Sequence, residues 1–151
     1  MAETVRSVAN IDQLERILEF VRSCAARAGF SGRRIIDLEL AVEEAMVNIC
    51  RYAYTEHSGE VEVACLQEPG GILRIEIVDR GRPFNLLKAE KPVFECDIAR
   101  RQLGGLGIHI IRNMVDDIRY RREGDKNRLI LVLRDRKQNS PSTPEPVGPG
   151  R

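Results

Sequence analysis

From Ser31 onward, apolar residues return with a helical period at Leu38, Ala41, Val42, Ala45, Met46, Ile49 and Ala53, and no proline interrupts them. A stripe with that spacing fixes a long amphipathic helix with one buried side. Ser31 supplies its N-cap, and the pattern carries it to about Tyr52. Glu44 and Asn48 depart from the apolar run one turn apart, on the same side of the helix. At roughly 100° per residue, Asp37, Glu44, Asn48 and Arg51 fall within a sector about 60° wide. The pattern predicts a polar cleft on the flank of a core helix. A carboxylate there can deprotonate a hydroxyl, and a carboxamide oxygen can hold a magnesium ion. Asn is a mediocre helix former, and Asn48 interrupts Met46, Val47, Ile49 and Cys50.

Two glycine-bearing segments follow. Residues 75–79 form a strand-like apolar run that ends at Asp79, ahead of Arg80-Gly81-Arg82-Pro83-Phe84. Leu103-Gly104-Gly105-Leu106-Gly107 then opens a second periodic apolar segment, Ile108 to Ile111. Glycines let backbone amides approach a ligand closely, and a glycine-rich loop feeding a helix N-terminus is a ready anion site.

The remaining elements are read from periodicity and turn chemistry. Residues 3–8 alternate as an edge strand. Asn10 or Asp12 then caps a helix with the stripe Ile11, Leu14, Ile17, Leu18 and Val21, ended by Gly29. His57-Ser58-Gly59 is a turn. Strands over 60–66 and 72–79 make a hairpin around Glu68-Pro69-Gly70-Gly71. Residues 85–102, with Pro92 and mixed charges, read equally as a loop over a site or as a plain surface excursion. A helix over 107–115, a strand over 117–122, a turn at Gly124-Asp125 and a strand over 128–133 complete the pattern. The proline-rich residues 137–151 cannot sustain regular structure and predict a disordered tail, leaving 1–136 as the folded domain. The fold class is α+β: a two-layer sandwich with helices on one face of a mixed, mostly antiparallel sheet.

At 151 residues and 42% hydrophobic content the chain can bury one core, and a second full domain does not fit. The net charge of +1 supplies no basic field for nucleic acid, and the absence of Trp leaves no evident base-stacking platform. Cys24, Cys50, Cys65 and Cys96 contain no Cys-x-x-Cys, and with only His57 and His109 they argue against a zinc site or disulfide framework. No signal peptide or membrane-length apolar run is present, which predicts a reduced, cytoplasmic setting.

In this order and spacing, the motifs resemble the Bergerat-type ATP-binding fold of histidine kinases, gyrase and mismatch-repair ATPases. More closely they resemble the small bacterial anti-sigma-factor serine kinases of partner-switching systems. The resemblance rests on Glu44 to Asn48, Asp79 to Gly81, Gly104 to Ile108, and Tyr120-Arg121-Arg122-Glu123-Gly124, and it extends to about Arg134. It implies ATP and magnesium as cofactors, with Glu44 as catalytic base and Asn48 as metal ligand. It also implies that Asp79 accepts from the adenine amine, Gly81 lets backbone approach the base, and Gly105, Leu106 and Gly107 line the phosphates. Gly104, Arg51 and Phe84 are further implied nucleotide contacts. The implied partners are a STAS-domain anti-anti-sigma factor, phosphorylated on Ser or Thr, and a sigma factor, sequestered; a homodimer is also implied, and neither membrane nor direct nucleic-acid binding is.

Three positions depart from the family pattern: Tyr52 stands where relatives often have His, Pro83 where a second Gly is usual, and Ile130 where Thr commonly helps hold adenine. Singly, each site residue also has a plainer role. Glu44 and Arg51 can be solvated helix residues, Asp79-x-Gly81 a tight turn, His109 a helix-face residue, and Arg119, Arg121 and Arg122 a solvated strand face. Two rival functions stand beside the kinase: a non-catalytic module shaped by bound ATP, and a switch kinase acting outside sigma control. A P-loop is excluded because no Gly-x-x-x-x-Gly-Lys-(Ser/Thr) occurs, and a Rossmann fingerprint because the third Gly and the strand-helix-strand unit are missing.

Overall fold

The computed structural model describes residues 2–54, 59–88 and 107–135, with Ile110 described by its backbone alone. The expectations for His57 and Ser58, for residues 89–106 with Cys96, Gly104, Gly105 and Leu106, and for the tail at 137–151 fall outside those residues.

The chain opens with β1 (Ala2–Val8), and Asn10 caps a 3-10 turn at Ile11–Gln13 by accepting from the Gln13 amide at 3.1 Å. Then come α1 (Leu14–Arg27) and α2 (Gly32–Asn48), separated by Gly29 at φ 85°, a left-handed conformation suited to glycine. Ser31 caps α2 through the Arg34 amide. The predicted helix does not stay α-helical to Tyr52: it widens into a π-helical turn at Ile49–Ala53. Such turns are rare and gather at functional sites. β2 (Glu60–Glu68) and β3 (Ile72–Asp79) form the expected hairpin, turning at Gly70 and Gly71, both with positive φ. A single turn at Leu86–Lys88, α3 (Gly107–Met114), β4 (Asp117–Glu123) and β5 (Lys126–Arg134) complete the described elements.

The sheet order is β1-β2-β3-β5-β4, and every described pairing is antiparallel. Alternation along each strand sends Val61, Val63 and Cys65, Leu73, Ile75 and Ile77, and Leu129, Leu131 and Leu133 to one face, where all are buried. The helices cover that face, with α2 packed between α1 and α3. All seven residues of the predicted α2 stripe are buried, and so are Ile17, Leu18 and Val21 of α1. Full burial of each Val, Leu, Ile or Met side chain among them is worth roughly 1.5–3 kcal/mol, so this one layer dominates stability.

Two residues leave their predicted places. Ile11 is 55% exposed because the chain has not yet entered the α-helix where its stripe was counted. Asp37 does not join the polar cleft: it pairs with Arg34 at 3.0 Å, back toward the start of α2. Arg34 is 4% exposed, pairs with Asp116 at 2.7 Å and donates to the Met114 carbonyl at 3.2 Å. Asp116 also accepts from the Arg134 amide at 2.7 Å. One buried guanidinium thus caps the C-terminal end of α3 and joins it to α2 and β5. That clamp fixes where the other end of α3, Gly107, meets α2.

Candidate functional site

The register of the sheet explains how a polar site arises at the edge of an apolar core. Val63, Ile77 and Leu129 lie side by side across β2, β3 and β5 on the helix-facing side. Two residues along, the next row is Val61, Asp79 and Asn127, with Arg122 of β4 beside Asn127. Asp79 and Asn127 occupy core positions and are each 3% exposed. Buried groups of this kind need partners, and here they find each other.

Asp79 Oδ1 accepts from the Gly81 amide at 2.9 Å and from Asn127 Nδ2 at 2.8 Å. Both bonds fall on one oxygen, so Oδ2 is the atom Asp79 can offer to a ligand. Burial pushes the Asp79 carboxyl up, against the opposing pull of Asn127, the Gly81 amide and Arg122. Asn127 Nδ2 also donates to the Arg82 carbonyl at 2.8 Å, while its Oδ1 accepts from the Tyr120 hydroxyl at 2.5 Å, the Phe84 amide at 3.2 Å and Arg122 at 3.3 Å.

Gly81 has a stricter reason to be glycine than the approach of a ligand. A Cβ there would meet the Ala53 carbonyl oxygen at 2.3 Å, so the turn after β3 lies directly on the π-helical turn. The Arg82 amide donates to the same carbonyl at 2.9 Å, and Arg122 donates to the Gly81 carbonyl at 2.8 Å. Arg122 is therefore a site-building residue and not merely part of a solvated strand face. Phe84 stacks on Tyr52, ring centroids 5.1 Å apart.

The second cluster lies on α2. Asn48 is 7% exposed, and its Nδ2 donates to the Glu44 carbonyl at 2.7 Å, which leaves the amide oxygen as the atom it can present to a metal. Glu44 is half-buried, and its Oε2 is enclosed without a hydrogen-bond partner among the described residues. Burial is the main cause pushing its carboxyl up, assisted by Glu43 and opposed by Arg51. Gly107 closes the cluster: a Cβ on it would stand 3.0 Å from Glu44 Oε2 and 3.0 Å from Asn48 Nδ2. The first turn of α3 therefore comes against both side chains.

The helix and the Asp79 turn line one crevice, formed by Ala45, Asn48, Ile49, Asp79, Phe84, Leu86, Tyr120, Asn127 and Leu129. It encloses about 280 Å³ counting its mouth, but water can enter only about 20 Å³ of it. That is room for about one water, so the crevice does not admit a purine as it stands.

Of the residues singled out in the sequence, Glu44, Asn48 and Gly107 come together, and Asp79, Gly81 and Phe84 gather at the other end. Arg51 lies near enough to act on the Glu44 carboxyl. Gly104, Gly105 and Leu106 fall outside the described residues. His109 is exposed on α3. Ile130 does not face the crevice: its strand phase puts it across from Glu76 and Arg119, on the helix-free side. The β5 residues that do face the crevice are Asn127 and Leu129. Asn127 was missed by the sequence reading, although it shares the alternating phase of Leu129, Leu131 and Leu133.

The sequence matches the family described as Histidine kinase-like ATPase domain over residues 8–133. It is 34% identical over 106 residues to the serine-protein kinase RsbW of Listeria monocytogenes, covering 66% of this chain and 67% of that protein. It is 30% identical over 119 residues to the RsbW of Bacillus thuringiensis, covering 76% and 73%. In structure it resembles the RsbU and RsbW domains of Rv1364c from Mycobacterium tuberculosis, with a TM-score of 0.64, 19% identity and 89% of this chain covered. This chain spans 32% of that longer one. A histidine kinase domain from Erythrobacter litoralis gives a TM-score of 0.54 at 18% identity, with 84% of this chain and 61% of that chain covered. At such identities the two structures show a shared fold.

Proposed function

The chain belongs to the histidine kinase-like ATPase domain family, and from that membership we propose that it is an ATP-dependent serine-protein kinase whose transfer chemistry is done at Glu44. The observation that carries this assignment is the enclosed Glu44 Oε2, without a hydrogen-bond partner among the described residues and held beside Asn48 and Gly107. A carboxylate oxygen enclosed without a donor gives up solvation worth about 1–3 kcal/mol. That loss is recovered when a substrate hydroxyl arrives.

Glu44 takes the proton of the acceptor Ser or Thr as its oxygen bonds to the γ-phosphorus. The bond from phosphorus to the β,γ-bridging oxygen breaks, and its electron pair leaves with ADP. Base catalysis of this kind contributes about 10²–10⁴-fold. The raised Glu44 pKa brings the group closer to working pH, where a general base is most effective. A magnesium ion fits the donor set, because Asn48 has one uncommitted amide oxygen and this metal takes few protein ligands. When bound, it neutralises phosphate charge. At the opposite end Asp79 Oδ2 accepts from the adenine amine. The family resemblance assigns the phosphate contacts to Gly104, Gly105, Leu106 and Gly107.

The proposed substrate is a STAS-domain anti-anti-sigma factor, and the proposed second partner is a sigma factor held by the unoccupied surface of the kinase. Phosphate added at the substrate's contact surface repels it by charge and desolvation, and frees the kinase for sigma. A homodimer, a cytoplasmic setting and a separate proline-rich tail at 137–151 belong to the same proposal. Among the described residues no helix is long and apolar enough to cross a membrane.

Transfer of label from γ-labelled ATP to a cognate STAS protein tests the assignment. The expected result is a labelled Ser or Thr that is lost with Glu44→Gln. Tight binding of both ATP and the STAS protein without any transfer would instead make the chain a non-catalytic switch.

A further inference from the structure

Proceeding from that kinase assignment, we propose that Asn127 is a positioning residue for nucleotide recognition: its carboxamide aims Asp79 at the base, and Tyr120 and Arg122 of β4 fix the carboxamide's orientation.

The claim rests on how completely one side chain is used. The amide nitrogen has two N–H groups, and both are spent, on Asp79 Oδ1 and on the Arg82 carbonyl. The amide oxygen takes three donors, from Tyr120, Phe84 and Arg122. The Phe84 amide and Arg122 can only donate and so demand oxygen at that position, while Asp79 Oδ1 and the Arg82 carbonyl can only accept, so the amide cannot flip end for end without setting donor against donor. With the orientation fixed, the N–H must point at Asp79.

Two consequences follow for the base. Asp79 Oδ1 is committed to Asn127 and Gly81, so the second oxygen of the carboxylate is the one presented to the crevice. The Phe84 amide and Arg82 carbonyl are both anchored to the same carboxamide, so the turn carrying the Phe84 ring is set by Asn127 as well. Asn127 lines the crevice itself, as does Tyr120. A buried residue whose every polar bond runs to the recognition carboxylate, its turn or the strand behind them has a role more specific than filling a strand.

The role is tested by an analogue cycle. Purified protein is titrated with magnesium-ATP and magnesium-inosine triphosphate, which carries a carbonyl where adenine carries its amine. Wild type is expected to prefer ATP by roughly 10- to 100-fold, the worth of one hydrogen bond to a charged group. Asn127→Ser frees Asp79 to turn and is expected to reduce that preference to within about threefold. It should raise KM for ATP about tenfold and leave kcat at saturating ATP within about twofold, because Glu44 and Asn48 are untouched. Tyr120→Phe removes one hydroxyl and serves if the first variant does not fold; a fall in preference of about threefold or more is expected.

Preference kept in the folded variants, or kcat and KM worsening together in step with lost stability, would overturn the assignment of Asn127 and leave the kinase standing. Wild type that binds neither nucleotide overturns both at once.

Discussion

The two ends of the candidate site treat their carboxylates in opposite ways. At the sheet end Asp79 is 3% exposed, and its Oδ1 is tied to Asn127 and the Gly81 amide. At the helix end Glu44 keeps an enclosed oxygen with no partner among the described residues. Burial pushes both groups up, but donors oppose it at Asp79, and only the charge of Arg51 does so at Glu44. A group that recognises a ligand must be held still, so its hydrogen bonds are filled by protein. A group that accepts a proton in a reaction must keep room for it. On the proposed function, the recognition end and the reaction end thus differ in how many bonds each leaves open.

The widest expected contrast comes from removing the open bond. Glu44→Gln keeps the shape of the side chain and loses the proposed base, so label transfer should fall about 10²–10⁴-fold while ATP binding stays. The stability change has the opposite sign. A carboxyl raised in the folded state holds its proton more tightly there than in the unfolded chain. Its contribution is therefore full below the ordinary Glu value and is lost as pH rises through the raised value. Wild type carries that loss at neutral pH and Glu44→Gln does not. Urea denaturation is expected to find the variant at least as stable as wild type near neutrality, with the difference vanishing in acid. A variant clearly less stable at neutral pH would mean that Glu44 has partners and that the contrast between the ends is false.

The glycines give the next test, because each end has one against a different wall. A Cβ at Gly81 would strike the Ala53 carbonyl at 2.3 Å, and backbone cannot step aside. Gly81→Ala should cost roughly 3 kcal/mol or more by thermal or urea melts. A Cβ at Gly107 meets the side chains of Glu44 and Asn48, each at 3.0 Å, and side chains can yield by a few tenths of an ångström. Alanine also gains up to about 1 kcal/mol over glycine in a helix. Gly107→Ala should therefore change stability by less than about 1 kcal/mol while transfer drops at least tenfold. Equal destabilisation by the two substitutions would erase the distinction.

How much of this was legible in the chain follows the same division. The reaction end was readable because helical spacing is local: Glu44 and Asn48 stand one turn apart, so sequence alone places them together, and the apolar stripe beside them told which way they face. The two hairpins were readable from alternation and from Gly70-Gly71 and Gly124, whose left-handed conformations were paid for by glycine. The recognition end was only half readable. Asp79 and Asn127 meet through the register of β3 on β5, and one residue of slip moves a side chain to the other face. The family pattern drew attention to Ile130, which pairs with Glu76 on the other face, whereas the residue opposite Asp79 is Asn127. The π-helical turn at Ile49–Ala53 was likewise hidden, since no residue type there announces it. It is required by what crosses it: the Gly81 turn resting on the Ala53 carbonyl.

The smallest expected effect concerns the lip of the recognition end, where Tyr52 lies over Phe84 with the rings 5.1 Å apart and 27° from parallel. Tyr52 is 41% exposed, so the stack is worth only about 0.5–1.5 kcal/mol. It nonetheless bears on entry, because the crevice as it stands is too small for a purine and Phe84, which lines it, is stacked on Tyr52. Tyr52→Ala removes the ring that Phe84 stacks on, both before and after nucleotide binds. The association rate for ATP should rise and the dissociation rate should rise more, leaving affinity weaker by about threefold in stopped-flow measurements. Tyr52→Phe keeps the ring and should match wild type. A slower association rate in Tyr52→Ala would show that Tyr52 holds the crevice open, and the recognition end would then be less rigid than its hydrogen bonds make it.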